Sequence, residues 1–159
     1  MVDTVYRNLR QLDGSSVDLS IAGGRILAIE PGGRAAPAQA RIVEGDGRLL
    51  LPALVESHCH LDKTLWGLPW RPHSAGPSLK DLIANERRVL REIEVPTAKR
   101  AGALLENCIA RGSLHIRSHI DIDPEIGLSH VEALLALREA YRDVVELSLI
   151  HISEPTRPY

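Results

Sequence analysis

The first third of the chain alternates short apolar runs with turn residues, a pattern typical of β-strands. Strands are predicted over residues 2–6, 17–21, 25–29 and 41–44. Gly23 and Gly24 predict a tight hairpin between the second and third strands, because a type I′ turn needs positive φ at both central positions. Short antiparallel strands bury little by themselves, so residues 1–50 are not expected to form a sizeable core alone.

From residue 49 onward, strand-like and helical patterns follow one another. An apolar run interrupted by Pro52 predicts a buried strand that ends at two histidines. Apolar residues at helical spacing predict three amphipathic helices, over residues 78–94, 96–111 and 129–141. Strict alternation predicts a strand over 114–122, and residues 143–146 open another. Strands separated by helices indicate βαβ units, and therefore an α/β fold with a parallel sheet.

His58 and His60 are the strongest chemical signal in the chain. Side chains alternate across a strand, so the two rings share one face and can bind one divalent cation, whereas Cys59 points away. Two histidines at a strand end can also be ordinary polar residues that meet solvent. The preceding run is too apolar for an exposed edge, and Asp62 and Lys63 follow at once, so we favour a metal site.

Composition narrows the class of protein. The chain has 159 residues, of which 44% are hydrophobic and 25% charged, which is typical of an ordered globular domain. A net charge of −2 gives no electrostatic reason to expect nucleic acid or an anionic membrane as a partner. No apolar run is long enough for a membrane span, and the N-terminus lacks the pattern of a signal peptide. Two cysteines form no disulfide framework, so a cytoplasmic location is expected.

Two motifs also resemble a known family. His-Cys-His-Leu-Asp at 58–62, within residues 51–64, and Arg-Ser-His-Ile-Asp at 117–121 resemble the first two barrel strands of the amidohydrolase superfamily, most closely its cytosine deaminase-like branch. The resemblance runs from the N-terminus to about residue 146. The order and spacing of the motifs are quite specific for the branch and less specific for a substrate.

The resemblance implies an incomplete metal-dependent hydrolase (β/α)₈ barrel. Residues 1–50 would be part of a small β-sandwich, and residues 51–146 the first two to three β/α units of the barrel. A complete barrel needs about 250 residues, more than this chain provides. The polar face of 114–122 would then point into the barrel, so His119 and Asp121 are expected to line the active site. A structural hydrogen-bonding role for either stays open.

The loop after the histidines contributes two further candidates. Trp66 and Trp70 could wall a pocket for a planar substrate, since loops after barrel strands form the active-site mouth. Packing within the loop would explain them equally well. Lys63 is interpreted as a salt-bridge or loop residue.

The resemblance assigns His58 and His60 to one divalent metal ion, zinc or iron. Such a metal lowers the pKa of water and supplies hydroxide near neutral pH for attack on a ring carbon. The family pattern places a third histidine, a proton-handling Glu and His, and a last-strand aspartate beyond residue 146. No catalytic residue is therefore expected within the chain, which should be inactive alone.

The implied function is hydrolysis of a non-peptide C–N bond, as in deamination of a nucleobase-like ring. The partner would be a small nitrogen heterocycle, and a homo-oligomer of the full-length enzyme is left open. One alternative is an amidohydrolase for another cyclic amide or a triazine. Another is a βαβ protein that binds a metal or a partner without catalysis.

The end of the chain departs from the family pattern. Residues 147–157 match the in-frame translation of a common transposase sequencing adapter. We therefore expect residues 147–159 to be a non-native tail, the alternative being a genuine polar tail.

Overall fold

The computed structural model describes residues 2–72, 74–122 and 124–153. The fold is mixed α/β, and the chain divides into two compact units, Met1–Pro52 and Ala53–Tyr159. The first unit contains strands β1 (Thr4–Arg10), β2 (Ser16–Ala22), β3 (Arg25–Pro31) and β4 (Arg41–Glu44). The second contains β5 (Leu54–Cys59), α1 (Leu79–Glu92), α2 (Thr97–Ala110), β6 (Ser113–Ile122), α3 (Ser129–Ala140) and β7 (Glu146–Ser153).

The N-terminal unit is a four-stranded sheet in the order β3-β2-β1-β4. Gly23 and Gly24 have φ of +55° and +72°, which confirms the predicted hairpin between β2 and β3. The small core consists of Leu9, Val17 and Leu19. Buried Asp18 accepts hydrogen bonds from the backbone amides of Asn8 (2.9 Å) and Gly33 (3.1 Å).

The second unit is a three-stranded parallel sheet in the order β5-β6-β7. Parallel strands need crossover connections, and the helices between them provide these. Alternate residues of β6 point into the core, where Ile116, Ser118 and Ile120 are buried. Helices α2 and α3 contribute the other side of this core, with Leu105 and Leu134 both fully buried.

The prediction that β5 is a buried strand is wrong for its first residues. Leu54 and Val55 are 52% and 68% exposed. The reason is position, because β5 lies at the edge of its sheet and pairs only with β6 among the described strands. The apolar composition of β5 predicted a buried strand. It could not show how many neighbouring strands and helices in the described chain would bury it.

The helices form close to their predicted bounds, but their burial differs. A capping box at Ser78 and Asp81 starts α1, although α1 buries none of its residues. Pro96 occupies the N-cap of α2. Leu128 occupies the N-cap of α3, and the hydroxyl of Ser129 donates to the carbonyl of Ile126.

Strand β7 covers the first part of the segment predicted to be a non-native tail. Leu147 is buried, and residues 146–153 pair in parallel with β6. Residues 154–159 lie outside the described part of the chain. Strand pairing does not reveal the origin of a sequence, so a non-native origin of residues 147–159 stays a prediction.

Candidate metal centre

Three histidine rings meet at the carboxyl ends of β5 and β6. The ring of His119 lies 4.0 Å from that of His58 and 5.6 Å from that of His60, measured between centroids. One ring nitrogen from each histidine lies within 4.8 Å of the others, a spacing that could hold a metal ion. The carboxyl ends of parallel strands converge at one edge of a sheet, which brings together residues about 60 positions apart in sequence.

A local irregularity in β5 helps to orient the histidines. Glu56 pairs with Ile116 and Cys59 with Ser118, so β5 has one extra residue in this interval. Such bulges re-aim side chains near functional sites. The carboxylate of Glu56 accepts the backbone amide of His58 at 3.0 Å and so supports the bulge.

Cys59 faces away from the histidines, as the alternation of the strand requires. Its thiol packs against the hydrophobic core and donates to the carbonyl of Arg117 over 3.6 Å. Burial raises the pKa of the Cys59 thiol to about 11, so the thiolate form that binds metals is disfavoured.

Asp62 lies beneath His60 and is completely buried. One carboxylate oxygen, Oδ2, accepts the backbone amide of Asp121 at 2.9 Å and lies 3.5 Å from Nδ1 of His130. The other, Oδ1, lies 3.5 Å from Nδ1 of His60. Burial favours the neutral carboxyl, but His130 and the Asp121 amide outweigh it and hold the pKa of Asp62 below its ordinary value.

The surroundings of His60 favour its neutral form, which is the form that binds a metal. Its burial, followed by the positive charge of Lys63, lowers the pKa of the imidazole. Nδ1 of His60 and Nδ1 of His119 are both buried and have no hydrogen-bond partner. Buried ring nitrogens without a hydrogen-bond partner fit a divalent metal.

Lys63 joins the site to α1 through two ion pairs. Its ammonium donates to Asp121 at 2.9 Å and to Glu86 at 3.1 Å. Burial disfavours the charged amine, but these two carboxylates overcome that effect and raise the pKa of Lys63. Asp121, together with His60 and Asp62, forms a second group of donor atoms within reach of one cation.

A cavity of about 250 Å³ opens beside these groups. Its polar lining includes His60, Lys63, Asp121 and His130, and α1 supplies Ile83 and Leu90. This is large enough for a small ring with its hydration water.

The two tryptophans do not join this cavity. Trp66 and Trp70 are 51% and 84% exposed, and neither is among the residues that line it. Their predicted role in the substrate pocket stays a prediction for the whole protein.

Three functional candidates escaped the sequence analysis. His130 and Arg100 each occupy a helix and are nearly buried, although both residue types usually indicate a solvated face. The guanidinium of Arg100 donates to the carbonyls of Thr64 and Val95, and thereby fixes the loop after β5. Asp62 was noted only as a neighbour of the histidines. The sole sequence signal was its place directly after the His-x-His-Leu run.

Histidines and carboxylates at the carboxyl edge of a parallel sheet define a candidate metal centre of the hydrolase type. No family model matches the chain. Uncharacterized protein YahJ of Escherichia coli is 34% identical over 127 residues, which is 77% of this chain and 28% of that protein.

Solved structures extend the similarity. N-isopropylammelide isopropylaminohydrolase from Burkholderia multivorans is 36% identical with a TM-score of 0.84, over 96% of this chain and 38% of that chain. The 5-methylcytosine deaminase of Klebsiella pneumoniae, bound to 5-fluorocytosine, is 27% identical with a TM-score of 0.69, over 92% of this chain and 35% of that one. The chain belongs to the amidohydrolase superfamily, and it spans between a quarter and two fifths of the length of these relatives.

Proposed function

We propose that the whole protein is a metal-dependent hydrolase that cleaves a non-peptide C–N bond in a nitrogen heterocycle, in the manner of a cytosine deaminase. The observation that carries this proposal is the meeting of His58, His60 and His119 at the carboxyl ends of two parallel strands. The name of the Klebsiella relative, a 5-methylcytosine deaminase, supports a nucleobase-like substrate.

Within this proposal, the present chain holds the metal and shapes one side of the pocket. His58 and His60 would bind zinc or iron, and His119 is a third donor within reach. A metal so held would lower the pKa of a water molecule and so supply hydroxide near neutral pH. Asp121 and Lys63, joined by an ion pair, lie on the cavity wall and can orient a polar ring by hydrogen bonds.

The same proposal assigns β5, β6, β7 and their helices to the first units of a (β/α)₈ barrel. The N-terminal sheet would be part of a small β-sandwich. We assign no proton-transferring residue to this chain and propose that it is inactive alone.

Cys59 and Cys108, both free, support a cytoplasmic location. Among the described residues, none of the helices has both the length and the apolarity to cross a bilayer.

The gene provides the first test. DNA downstream of the Glu146 codon should encode further strand–helix units. These should include the additional histidine and the last-strand aspartate that the family pattern places beyond residue 146. The protein made from it should release ammonia from cytosine when loaded with zinc or iron, and a His58→Ala, His60→Ala variant should not. A native reading frame that ends at Tyr159 would refute the barrel assignment.

A different ring substrate is the second candidate, and one observation favours it. The relative with a TM-score of 0.84 is named for N-isopropylammelide, not for cytosine. We therefore propose that N-alkylated ring amines be assayed beside cytosine, with amine and ammonia release measured separately. Turnover of N-isopropylammelide with none of cytosine would select this candidate.

A further inference from the structure

Asp62 has no place in the proposed function, yet it is among the most completely buried polar residues of the described chain. A buried carboxylate is costly unless its oxygens are satisfied. Oδ2 is satisfied by the Asp121 amide at 2.9 Å, but Oδ1 has no hydrogen-bond partner. Oδ1 is directed instead towards Nδ1 of His60, 3.5 Å away, which is itself buried and without a partner.

These two unpartnered atoms match each other chemically. A neutral imidazole carries one N–H, and the group that accepts this proton decides which nitrogen keeps a free lone pair. A carboxylate oxygen beside Nδ1 favours the tautomer with hydrogen on Nδ1. The only nitrogen of His60 that can then bind a metal is Nε2.

We propose that Asp62 is a positioning residue that accepts the Nδ1 proton of His60 and directs Nε2 of that ring to the metal. The inference rests on the metal site proposed above, and it adds a residue that holds the ligand without binding the ion. Asp62 is in turn fixed by the amide of Asp121 at the end of β6 and by His130 from α3. The orientation of one ligand is thereby tied to β6 and to α3.

The contacts of Asp62 argue against a main role as a direct ligand. Its Oδ2 already accepts the Asp121 amide and lies near His130, and its side chain has no exposure to solvent. The two assignments lead to different results in the metal-free chain. If Asp62 positions His60, it fixes the tautomer of that ring even without a metal. If Asp62 is a metal ligand, the tautomer of His60 need not depend on it.

The first measurement is the tautomer of His60 in the metal-free chain. Long-range ¹H–¹⁵N correlation spectra distinguish the two ring nitrogens, at a pH above the ordinary histidine pKa and with His60→Gln to assign the signals. We expect hydrogen on Nδ1 in the wild type. Hydrogen predominantly on Nε2 would overturn the inference without recourse to any variant.

The second measurement is zinc affinity, determined by competition with a chromogenic chelator. Asp62→Asn keeps the shape, but its single carbonyl oxygen must choose between the Asp121 amide and His60. If the oxygen stays with the Asp121 amide, the new NH₂ group faces Nδ1 and favours the wrong tautomer. Loss of such a partner typically weakens metal binding about ten- to a hundredfold, and we expect a loss of this size together with a shift of the His60 tautomer.

Asp18→Asn is the matched control. Asp18 is also a buried aspartate that accepts backbone amides, but its partners Asn8 and Gly33 belong to the N-terminal unit. Its substitution should leave zinc affinity unchanged. Unchanged affinity in Asp62→Asn, with loss in His60→Ala, would overturn the positioning role and leave the metal site intact. Zinc binding that survives His60→Ala would overturn the metal site and the inference built on it.

Discussion

Helices α1 and α2 are both 14 residues long and both carry an apolar stripe, yet only α2 belongs to the core. Helix α2 buries Ala101 and Leu105 against the sheet, whereas no residue of α1 is buried. Leu79 of α1 is 69% exposed and Leu105 of α2 is fully buried. An amphipathic pattern therefore predicts that a helix forms, but burial also requires a surface to receive it.

Polar contacts hold α1 where apolar burial does not. Glu86 pairs with Lys63, and Arg91 pairs with Glu125, over 3.1 and 2.8 Å. The Arg91–Glu125 pair is exposed at both ends, and such pairs contribute little, typically about 0–1 kcal/mol. We therefore expect α1 to open more readily than α2, and its capping box to account for much of its stability.

Truncation of one leucine on each helix should give the largest contrast. Leu105→Ala removes a fully buried side chain and should lower the free energy of unfolding by about 2–5 kcal/mol, through lost burial and a residual cavity. Leu79→Ala should change it by less than about 0.5 kcal/mol. Urea unfolding followed by circular dichroism measures both. Equal losses would mean that α1 is packed more firmly than its exposure indicates.

Removal of the cap should affect α1 alone. Ser78 Oγ accepts the amide of Asp81 at 3.1 Å, and a Ser→Ala change at such a cap costs about 1 kcal/mol. Ser78→Ala should therefore speed hydrogen exchange in the first turns of α1 and leave α2 protection unchanged. Ser129→Ala is the control, because Ser129 makes no cap bond to its own helix. Faster exchange across α2 as well would show that the two helices unfold together.

Local patterns carried most of the fold prediction. Spacing of apolar residues located β6 and α2, and the glycine pair located the first hairpin, because these signals are encoded within a few residues. The exposure of the first residues of β5 was not predicted from its apolar sequence, because it depends on neighbours that no local pattern reports. The lack of burial in α1 has the same origin.

The candidate site was predicted in part. His58 and His60 were predicted to share a strand, and the alternation of strand side chains alone placed them together. The proximity of His119 followed from the family resemblance, and the structure brings it within reach of both. His130 lies on an amphipathic helix, 68 positions from Asp62 in the sequence. The periodicity of a helix does not indicate a contact between side chains so far apart in the chain.

Acid should weaken α1 more than α2, because only α1 of the two begins with an acidic capping residue. Asp81 accepts hydrogen bonds from the hydroxyl of Ser78 at 2.6 Å and from its amide at 3.2 Å, and these hold the pKa of Asp81 below its ordinary value of 3.8. Because the pKa is lower in the folded helix, ionised Asp81 stabilises α1 fully above 3.8, and that stabilisation is lost as the pH falls through the depressed value. Helix α2 has no acidic residue in its first turn and lacks this dependence.

Carbon-detected NMR can follow the Asp81 carboxyl and the α-carbons of both helices through the same titration. We expect α1 to lose helical shift as Asp81 protonates, while α2 keeps its own. Ser78→Ala should return the pKa of Asp81 towards its ordinary value and leave that of Asp13, lowered separately by Ser15, unchanged. A simultaneous loss of both helices would contradict the contrast between them, because it would place α1 within the same cooperative unit as the buried core.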